Sequence, residues 1–403
     1  MRFIYVFMFV VATFFSCSTS KKISQALPNR NYERAQLTQD SLYKYYSVAG
    51  SKLLRETYPF DEGHRATYLA SEEHTNVPNR YSYLWPFSGT FSSANVLFEL
   101  TKSSQYKNQI DTLILPGLEE YFDTKRSPAG YASYINTASV SDRFYDDNVW
   151  IGIDFTDIYK QTFDTKYLDK AKLVWNFVIS GMDDKLGGGI YWCEQKKHSK
   201  NTCSNAPGSV FALKMFEVTK DSMYFYQGKQ LYEWTEHHLQ DTTDHLYFDN
   251  INLQGKVGTA KYAYNSGQMM QASALLYKLT GEVKYLKEAQ ILAASCYDYF
   301  FTDFVLAQGT SFKLLKRGDL WFIAVMLRGF AELYEIDGND TYIRAFQNNM
   351  DYAWGHTRDE QGLFSVDFSG KENDNSKWLL SQAAMIEMYA RLALIDKKKK
   401  LDN

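Results

Sequence analysis

Apolar positions along the chain fall into blocks of two kinds. "LWFIAVMLRGFAELY" (320–334) and "WLLSQAAMIEMYARLALI" (378–395) are apolar nearly all round, as expected of helices with no solvent face. Between such blocks lie stretches with polar openings: "DTKYLDKAKLVWNF", "KDSMYFYQGKQLYEW", "GEVKYLKEAQILAAS" and "GNDTYIRAFQNNMDYAW". Each opens on a polar turn, then a tyrosine, then a small residue three or four positions on. The tyrosines are Tyr167, Tyr224, Tyr285 and Tyr342, and a fainter copy, "SSQYKNQIDTLI", places Tyr106 before them; successive spacings are 61, 57, 61 and 57. An apolar stretch precedes each polar turn, and Gly281 and Gly338 stand where a left-handed residue would stop it. The repeat unit is a helical hairpin. Its period is far from the 34 residues of tetratricopeptide arrays.

The pattern predicts twelve helices, starting near residues 38, 87, 105, 145, 165, 205, 222, 264, 283, 319, 340 and 377. Short turns alternate with connections of roughly twenty residues, over 57–86, 122–144, 181–204, 239–263, 301–318 and 356–376. In antiparallel hairpins alternate connections lie at opposite ends, so the long loops gather on one side. Six hairpins closing in a ring make an all-α (α/α)6 barrel, or toroid; an open solenoid is the alternative. The helices that follow long loops are the more apolar and form the inner ring. Their N-termini open on the loop-bearing rim, with free backbone N–H groups around a central hollow.

The N-terminus has another character. Arg2 precedes the apolar run "FIYVFMFVVATFF", and "SCSTSKK" follows. This is the pattern of a bacterial secretory signal (1–16) ending at a lipidated Cys17; an ordinary signal peptide with a chance cysteine is the alternative. The run is too short for a membrane span. The division expected is an anchor linker over 17–35, an (α/α)6 catalytic domain over 36–396 and a solvated basic tail over 397–403, on an outer-membrane lipoprotein held to the membrane by its lipid alone. Lys21 and Lys22 follow the cysteine where surface-exported lipoproteins of the Bacteroidetes often carry acids, leaving the membrane face open.

Net charge is only −3, which gives no broad basic surface for nucleic acid. Seven histidines show no metal-ligand spacing, and neither a metal nor a cofactor is expected. Cys193 and Cys203 share one loop and could pair in an oxidising compartment, while Cys296 reads as a buried thiol. Aromatic residues make up 16% of the chain, enough to build a core and also to stack on sugar rings.

"RFYDDNVWIGIDF" (143–155) puts two carboxylates, Asp146 and Asp147, at the start of an inner helix on that rim. One aspartate there is ordinary helix capping; two, beside Tyr145, Asn148 and Trp150, suggest chemistry. Neighbouring helical positions hold Cβ atoms about 5–6 Å apart. That is nearer the roughly 5–5.5 Å carboxyl separation of retaining glycosidases than the 6.5–9.5 Å of inverting ones. One carboxylate would attack the anomeric carbon. The other, kept protonated by burial and its neighbour's charge, would donate to the leaving oxygen.

"YDDNVW", "GGGIYW" (187–192), "SNAPGS" (204–209) and "AYNSGQMMQASALLYKLTGEVKYL" (263–286) resemble glycoside hydrolase family 76. "KRGDLWFIAVMLRGFAELY" and "SQAAMIEMYARLA" fit its late helices, collinear over about 80–394. The resemblance implies retaining, endo-acting hydrolysis of α-1,6-mannan on an (α/α)6 barrel, with Asp146 as nucleophile and Asp147 as acid/base. Val149, Tyr191 and Ser266 depart from the family's usual residues. Tyr145, Asn148, Trp150, Tyr191, Trp192, Asn205, Tyr264, Asn265 and Arg317 are the expected substrate contacts, with Lys377 near the same rim. Asp183 and Asp184 in "MDDK" read as a solvated turn, and "LGGGIYW" lacks the Lys-Ser/Thr of a nucleotide loop. The chain is expected to be a monomer acting on α-mannan polysaccharide or oligosaccharide. Two other functions fit less well. A non-catalytic glycan-binding lipoprotein needs no carboxylate pair, and a hydrolase or lyase of uronic-acid glycans needs more cations than Arg143, Arg317 and Lys377.

Overall fold

A hairpin turn repeated five times sets the geometry of the computed structural model, which describes residues 29–71, 78–306 and 308–402. The helix α4 (Tyr145–Thr162) ends where Phe163 turns left-handed (φ 56°) and donates its N–H to the Tyr159 carbonyl; Asp164 then caps α5 (Thr165–Ile179) by accepting from the Lys166 N–H. The same left-handed step occurs at Lys102, Lys220, Gly281 and Gly338. It joins α2 (Leu84–Thr101) to α3, α6 (Thr202–Thr219) to α7 (Ser222–Leu239), α8 (Ala263–Thr280) to α9 (Val283–Phe300), and α10 (Leu320–Asp337) to α11 (Thr341–His356). Within α3 the α-helical pieces Ser104–Gln109 and Leu115–Glu119 flank a π-helical Ile110–Ile114. With α1 (Arg30–Tyr46) and α12 (Leu379–Asp402) the described residues hold twelve helices, as the pattern predicts.

The even-numbered helices form the inner ring. Each packs on the next, and α12 packs on α2, so the ring closes and an open solenoid is ruled out. The sixth outer helix is α1, packed on α12 from the other end of the chain. The last unit is therefore not a hairpin with its own turn, because the two termini supply its halves. Two boundaries differ from expectation for the same reason. Helix α1 begins at Arg30, inside the span expected to be linker, capped by the Asn29 side chain. Helix α12 continues to Asp402 through the expected solvated tail, where Lys397 donates to the Leu100 carbonyl and Lys398 pairs with Glu335.

Inner helices are buried almost all round, whereas α5 buries one side, Tyr167, Leu168, Ala171, Val174, Trp175, Phe177 and Val178. Helices α8 and α10 approach backbone to backbone: a Cβ on Gly267 would lie 2.4 Å from the Met326 Cα. The five repeat tyrosines all stand in the first turn of an outer helix, after the short turns. Asp146 sits one inner-helix length away, about 25 Å at 1.5 Å per residue.

The long loops carry small antiparallel sheets that periodicity does not show. β1 (Thr57–Tyr58) pairs with β9 (Lys377–Trp378), tying the first long loop to the last. β2 (Phe122–Asp123) pairs with β3 (Gly130–Tyr131). β4 (Ser199–Asn201), β5 (Phe248–Asn252) and β6 (Val257–Lys261) join two neighbouring loops into one sheet, and β7 (Phe301–Val305) pairs with β8 (Ser311–Leu315). Among the described residues no helix is long and apolar enough to cross a membrane. Cys17 lies outside the described residues.

A cavity of about 330 Å³ at the short-turn end of the barrel axis is lined by charge. Glu387, fully buried, accepts both arms of the Arg328 guanidinium (2.7 Å each) and Arg391 (2.8 Å). Arg328 lies over the rings of Trp150 and Trp321 (5.7 and 5.0 Å). Asp154, beside it, accepts from Ser92 and Asn95, and burial pushes its carboxyl up to about 7 against the pull of Arg328. Glu387→Ala would strand a buried guanidinium, so thermal or urea unfolding should show a loss of about 3–5 kcal/mol. A loss under about 1 kcal/mol would mean water already reaches the pair.

Candidate active site

The second and third residues of the inner helices face the rim hollow. Trp85 comes from α2, Asp146 and Asp147 from α4, Cys203 from α6, Tyr264 from α8 and Phe322 from α10; all line one cleft of about 470 Å³. Loop residues Tyr68, Trp192, Asn201, Asp249 and Tyr262 complete it.

The aspartates do not cap α4. Phe144 is the cap residue, and no side chain bonds there. Instead the loop before α6 docks on the helix start: the Tyr145 N–H donates to the Trp192 carbonyl (2.9 Å), and Phe144 bridges to Cys193. This brings the Trp192 indole N–H to Asp146 Oδ2 at 3.1 Å, while Asp146 Oδ1 is buried without a hydrogen-bond partner among the described residues. Burial pushes the Asp146 carboxyl up to about 6; the Cys203 thiol, the helix-start N–H groups and the indole of Trp192 hold it from rising further. Asp147 has none of these partners. Burial, then the charge of Asp146, drive its carboxyl well above the usual range. The pair thus separates into one carboxylate and one carboxylic acid, each set by its surroundings.

The helix turns about 100° per residue, and this decides which expected contacts reach the cleft. Trp150, four residues after Asp146, shares its face and forms the cleft floor, edge-on to Trp321 (6.0 Å). Trp192 and Tyr264 line the walls, Tyr264 stacked on Phe322 at 4.0 Å and 5°.

Other expected contacts are structural. Tyr145 turns outward, stacks on Phe177 (5.0 Å) and fills the space above Gly181. Asn148, three residues on, shares that outward side: its Oδ1 accepts from the Tyr131 N–H, and its amide donates to the Tyr131 and Phe144 carbonyls (2.8–2.9 Å). Asn205 does the same for Ile190, and Gln382 for Phe364, each as fourth residue of its inner helix. These side chains are spent on clamping the preceding loop. Tyr191 is buried, its hydroxyl on Asp183 (2.8 Å). Asn265 is fully buried away from the cleft, neither end of its amide bonded among the described residues.

Charged candidates are likewise committed. Arg317 pairs with Glu372 and Asp374 outside this cleft. Arg143 is buried in a fork with Glu194, and Lys377 is buried against Ser365 and Asp359. Asp184 is exposed, as a solvated turn implies, whereas Asp183 holds the buried Lys200 (2.7 Å) and with it the glycine-rich loop. Cys193 and Cys203 are separate free thiols rather than a disulfide, the second facing the cleft. Cys296 is buried, as expected.

Several cleft residues escape sequence reasoning. Tyr68, Asp249 and Tyr262 lie in long loops without a motif. Trp85, Cys203 and Phe322 carry a usable signal, because they occupy the same place in their repeats as the aspartates. Glu56, fully buried, ties the wall together by accepting from the Tyr68 hydroxyl (2.6 Å), the Asn79 amide (2.7 Å) and the Tyr83 N–H (3.0 Å).

Residues 60–400 match the model of Glycosyl hydrolase family 76. The chain is similar to a family 76 glycoside hydrolase (mannosidase) from Bacteroides thetaiotaomicron, with 33% identity and TM-score 0.83, covering 92% of this chain and all of that one. An α-1,6-mannanase of Salegentibacter, an inactive variant in complex with α-1,6-mannotriose, shares the fold at 23% identity and TM-score 0.72, over 91% and 99% of the two chains. A mannan endo-1,6-α-mannosidase of Saccharomyces cerevisiae is 28% identical over 149 residues, 34% of this chain and 33% of that protein, so the match spans a third of the curated relative's length.

Proposed function

The chain belongs to glycosyl hydrolase family 76, and from that premise we propose that it is a retaining, endo-acting hydrolase of α-1,6-mannan. The observation that carries this reading is the split in environment between Asp146 and Asp147 on the floor of an aromatic cleft. Asp146, ionised and oriented by the Trp192 indole, attacks the anomeric carbon. Asp147, protonated, gives its proton to the departing glycosidic oxygen. A glycosyl ester on Asp146 results, with inversion. Asp147, now a carboxylate, takes a proton from water, which attacks the same carbon and inverts it again. Trp150, Trp192 and Tyr264 offer ring faces for mannose.

Among the described residues the cleft lining contains three aspartates and no lysine or arginine. That suits a neutral glycan and opposes uronic-acid substrates, whose carboxylates would need cations. The yeast relative, a mannan endo-1,6-α-mannosidase, supports the same substrate, and the Bacteroides relative, a mannosidase, supports the sugar. Incubation with linear α-1,6-mannan should release a ladder of short oligosaccharides from the start. Mannose alone would mean exo action, and no product would refute the activity.

We also propose that the chain is a lipoprotein of the outer membrane, a monomer tethered through Cys17. Labelled palmitate should enter the wild type and not Cys17→Ser; labelling that survives the substitution would remove Cys17 as the anchor.

A further inference from the structure

Beside the catalytic cleft the rim carries a second pocket, of about 610 Å³, bounded by Arg317, Asp374, Asn375, Ser376 and Trp378. Nothing in the mechanism above uses it. Trp378 links it to the cleft: its ring lies 5.2 Å from Trp85, at 83°, and 5.7 Å from Tyr68, both of which line the cleft. From Trp85 the aromatic surface continues through Phe322 (6.2 Å, stacked) to Tyr264. A run of rings thus passes from the second pocket across the cleft that holds Asp146 and Asp147. Glu56 braces the junction by accepting from the Trp378 indole (3.3 Å) as well as the Tyr68 hydroxyl.

The pocket also has a polar part. The side chains of Asn375 and Ser376 are exposed, and neither makes a hydrogen bond among the described residues. Arg317 is held by two carboxylates, Glu372 and Asp374, so the mouth has no spare positive charge for an anionic group. A half-buried indole sharing one pocket with unengaged amide and hydroxyl groups suits a neutral pyranose. Its C–H face covers the ring, and its hydroxyls meet the polar part.

We propose that this pocket is a second glycan site. It holds a mannosyl unit of the bound polysaccharide away from the point of cleavage, from the backbone or from a side branch. The proposal rests on the mannan reading above. It makes the enzyme's preference among mannans depend on Trp378 and its polar neighbours, while chemistry stays with the aspartates.

The test compares wild type, Trp378→Ala and Ser376→Trp by kcat/KM on three substrates: a short activated aryl α-1,6-mannobioside, linear α-1,6-manno-oligosaccharides of increasing length, and branched mannan. Ser376→Trp fills the pocket from an exposed position, so it stands alone should Trp378→Ala fail to fold. Both variants should cleave the aryl substrate as the wild type does. Both should lose about tenfold on the larger glycans, the loss of one stacked and hydrogen-bonded sugar. A loss that appears only beyond a certain linear length assigns the pocket to the backbone; one confined to branched mannan assigns it to a branch. Unchanged rates on every glycan, or an equal fall on the aryl substrate, would overturn the proposal. A wild type that cleaves no α-1,6-mannoside would instead refute the activity itself.

Discussion

Asp146→Ala is expected to lose about four orders of magnitude in kcat on α-1,6-mannan, a loss of the size seen when one member of a catalytic unit is removed. No glycosyl ester can then form. The Ala side chain gives no nucleophile, and Asp147 cannot replace it because burial and its own place in the cleft keep it protonated. Folding should survive, since Asp146 caps nothing. The stability change has a definite sign. The folded carboxyl titrates near 6, above the unfolded value of about 3.9, so the native state binds the proton more tightly. The site's contribution to stability is full below about pH 3.9 and fades as pH rises through 6. Melting of Asp146→Ala should therefore improve against the wild type between pH 4 and pH 8. A variant that melts normally and still cleaves mannan at the wild-type rate would reduce the pair to a structural feature.

Asp147→Ala should lose most activity on mannan and much less on an activated aryl mannoside, whose leaving group needs no proton. Its slow step is then the attack of water on the glycosyl ester, for which no base remains. Azide needs no base and should restore turnover, giving an α-mannosyl azide after two inversions. Asp146→Ala should give none. The pH profile should move as well. In the wild type the pair titrates in two steps, and kcat/KM should rise on an acid limb near 6 as Asp146 ionises, then fall as Asp147 loses its proton at higher pH. Asp147 is neutral while Asp146 ionises, and burial is what raises Asp146, so in the variant the acid limb should stay near 6 and the alkaline limb disappear on the aryl substrate. An acid limb that moves well below 6 in the variant would show that a charge on Asp147, not burial, holds Asp146 up.

How far the sequence carries depends on the scale of the feature. The ring was legible because it rests on features that recur: tyrosines at 57 and 61 residues, Gly281 and Gly338 at left-handed turns, and apolar blocks with no solvent face. The aspartate pair was legible because capping requires one carboxylate and the chain has two. What failed was direction. Tyr145 and Asn148 are one step from the pair in sequence but about 100° from it around the helix, and each was expected to touch substrate. Trp150, three and four residues on, shares the face. Asn148 and Asn205 look like sugar-binding amides, yet at the fourth position of an inner helix they meet the backbone of the loop before, as Gln382 does. Strands of two to five residues, such as β1 with β9, carry too few positions for an alternation to register. Arg317 looked free because its partners, Glu372 and Asp374, lie in another loop, and Lys377 because Asp359 and Ser365 stand 18 and 12 residues before it in an irregular connection. The pairing of α1 with α12, across the whole chain, leaves no local mark.

The claim that the two aspartates perform a double displacement is tested most directly by following the anomeric configuration of the first products by NMR as the wild-type protein cleaves linear α-1,6-mannan. The arrangement of Asp146 and Asp147 predicts that the new reducing ends appear first as the α-anomer, with the β-anomer growing only as mutarotation proceeds. The β-anomer appearing first would contradict a glycosyl ester on Asp146 and require a single displacement by water.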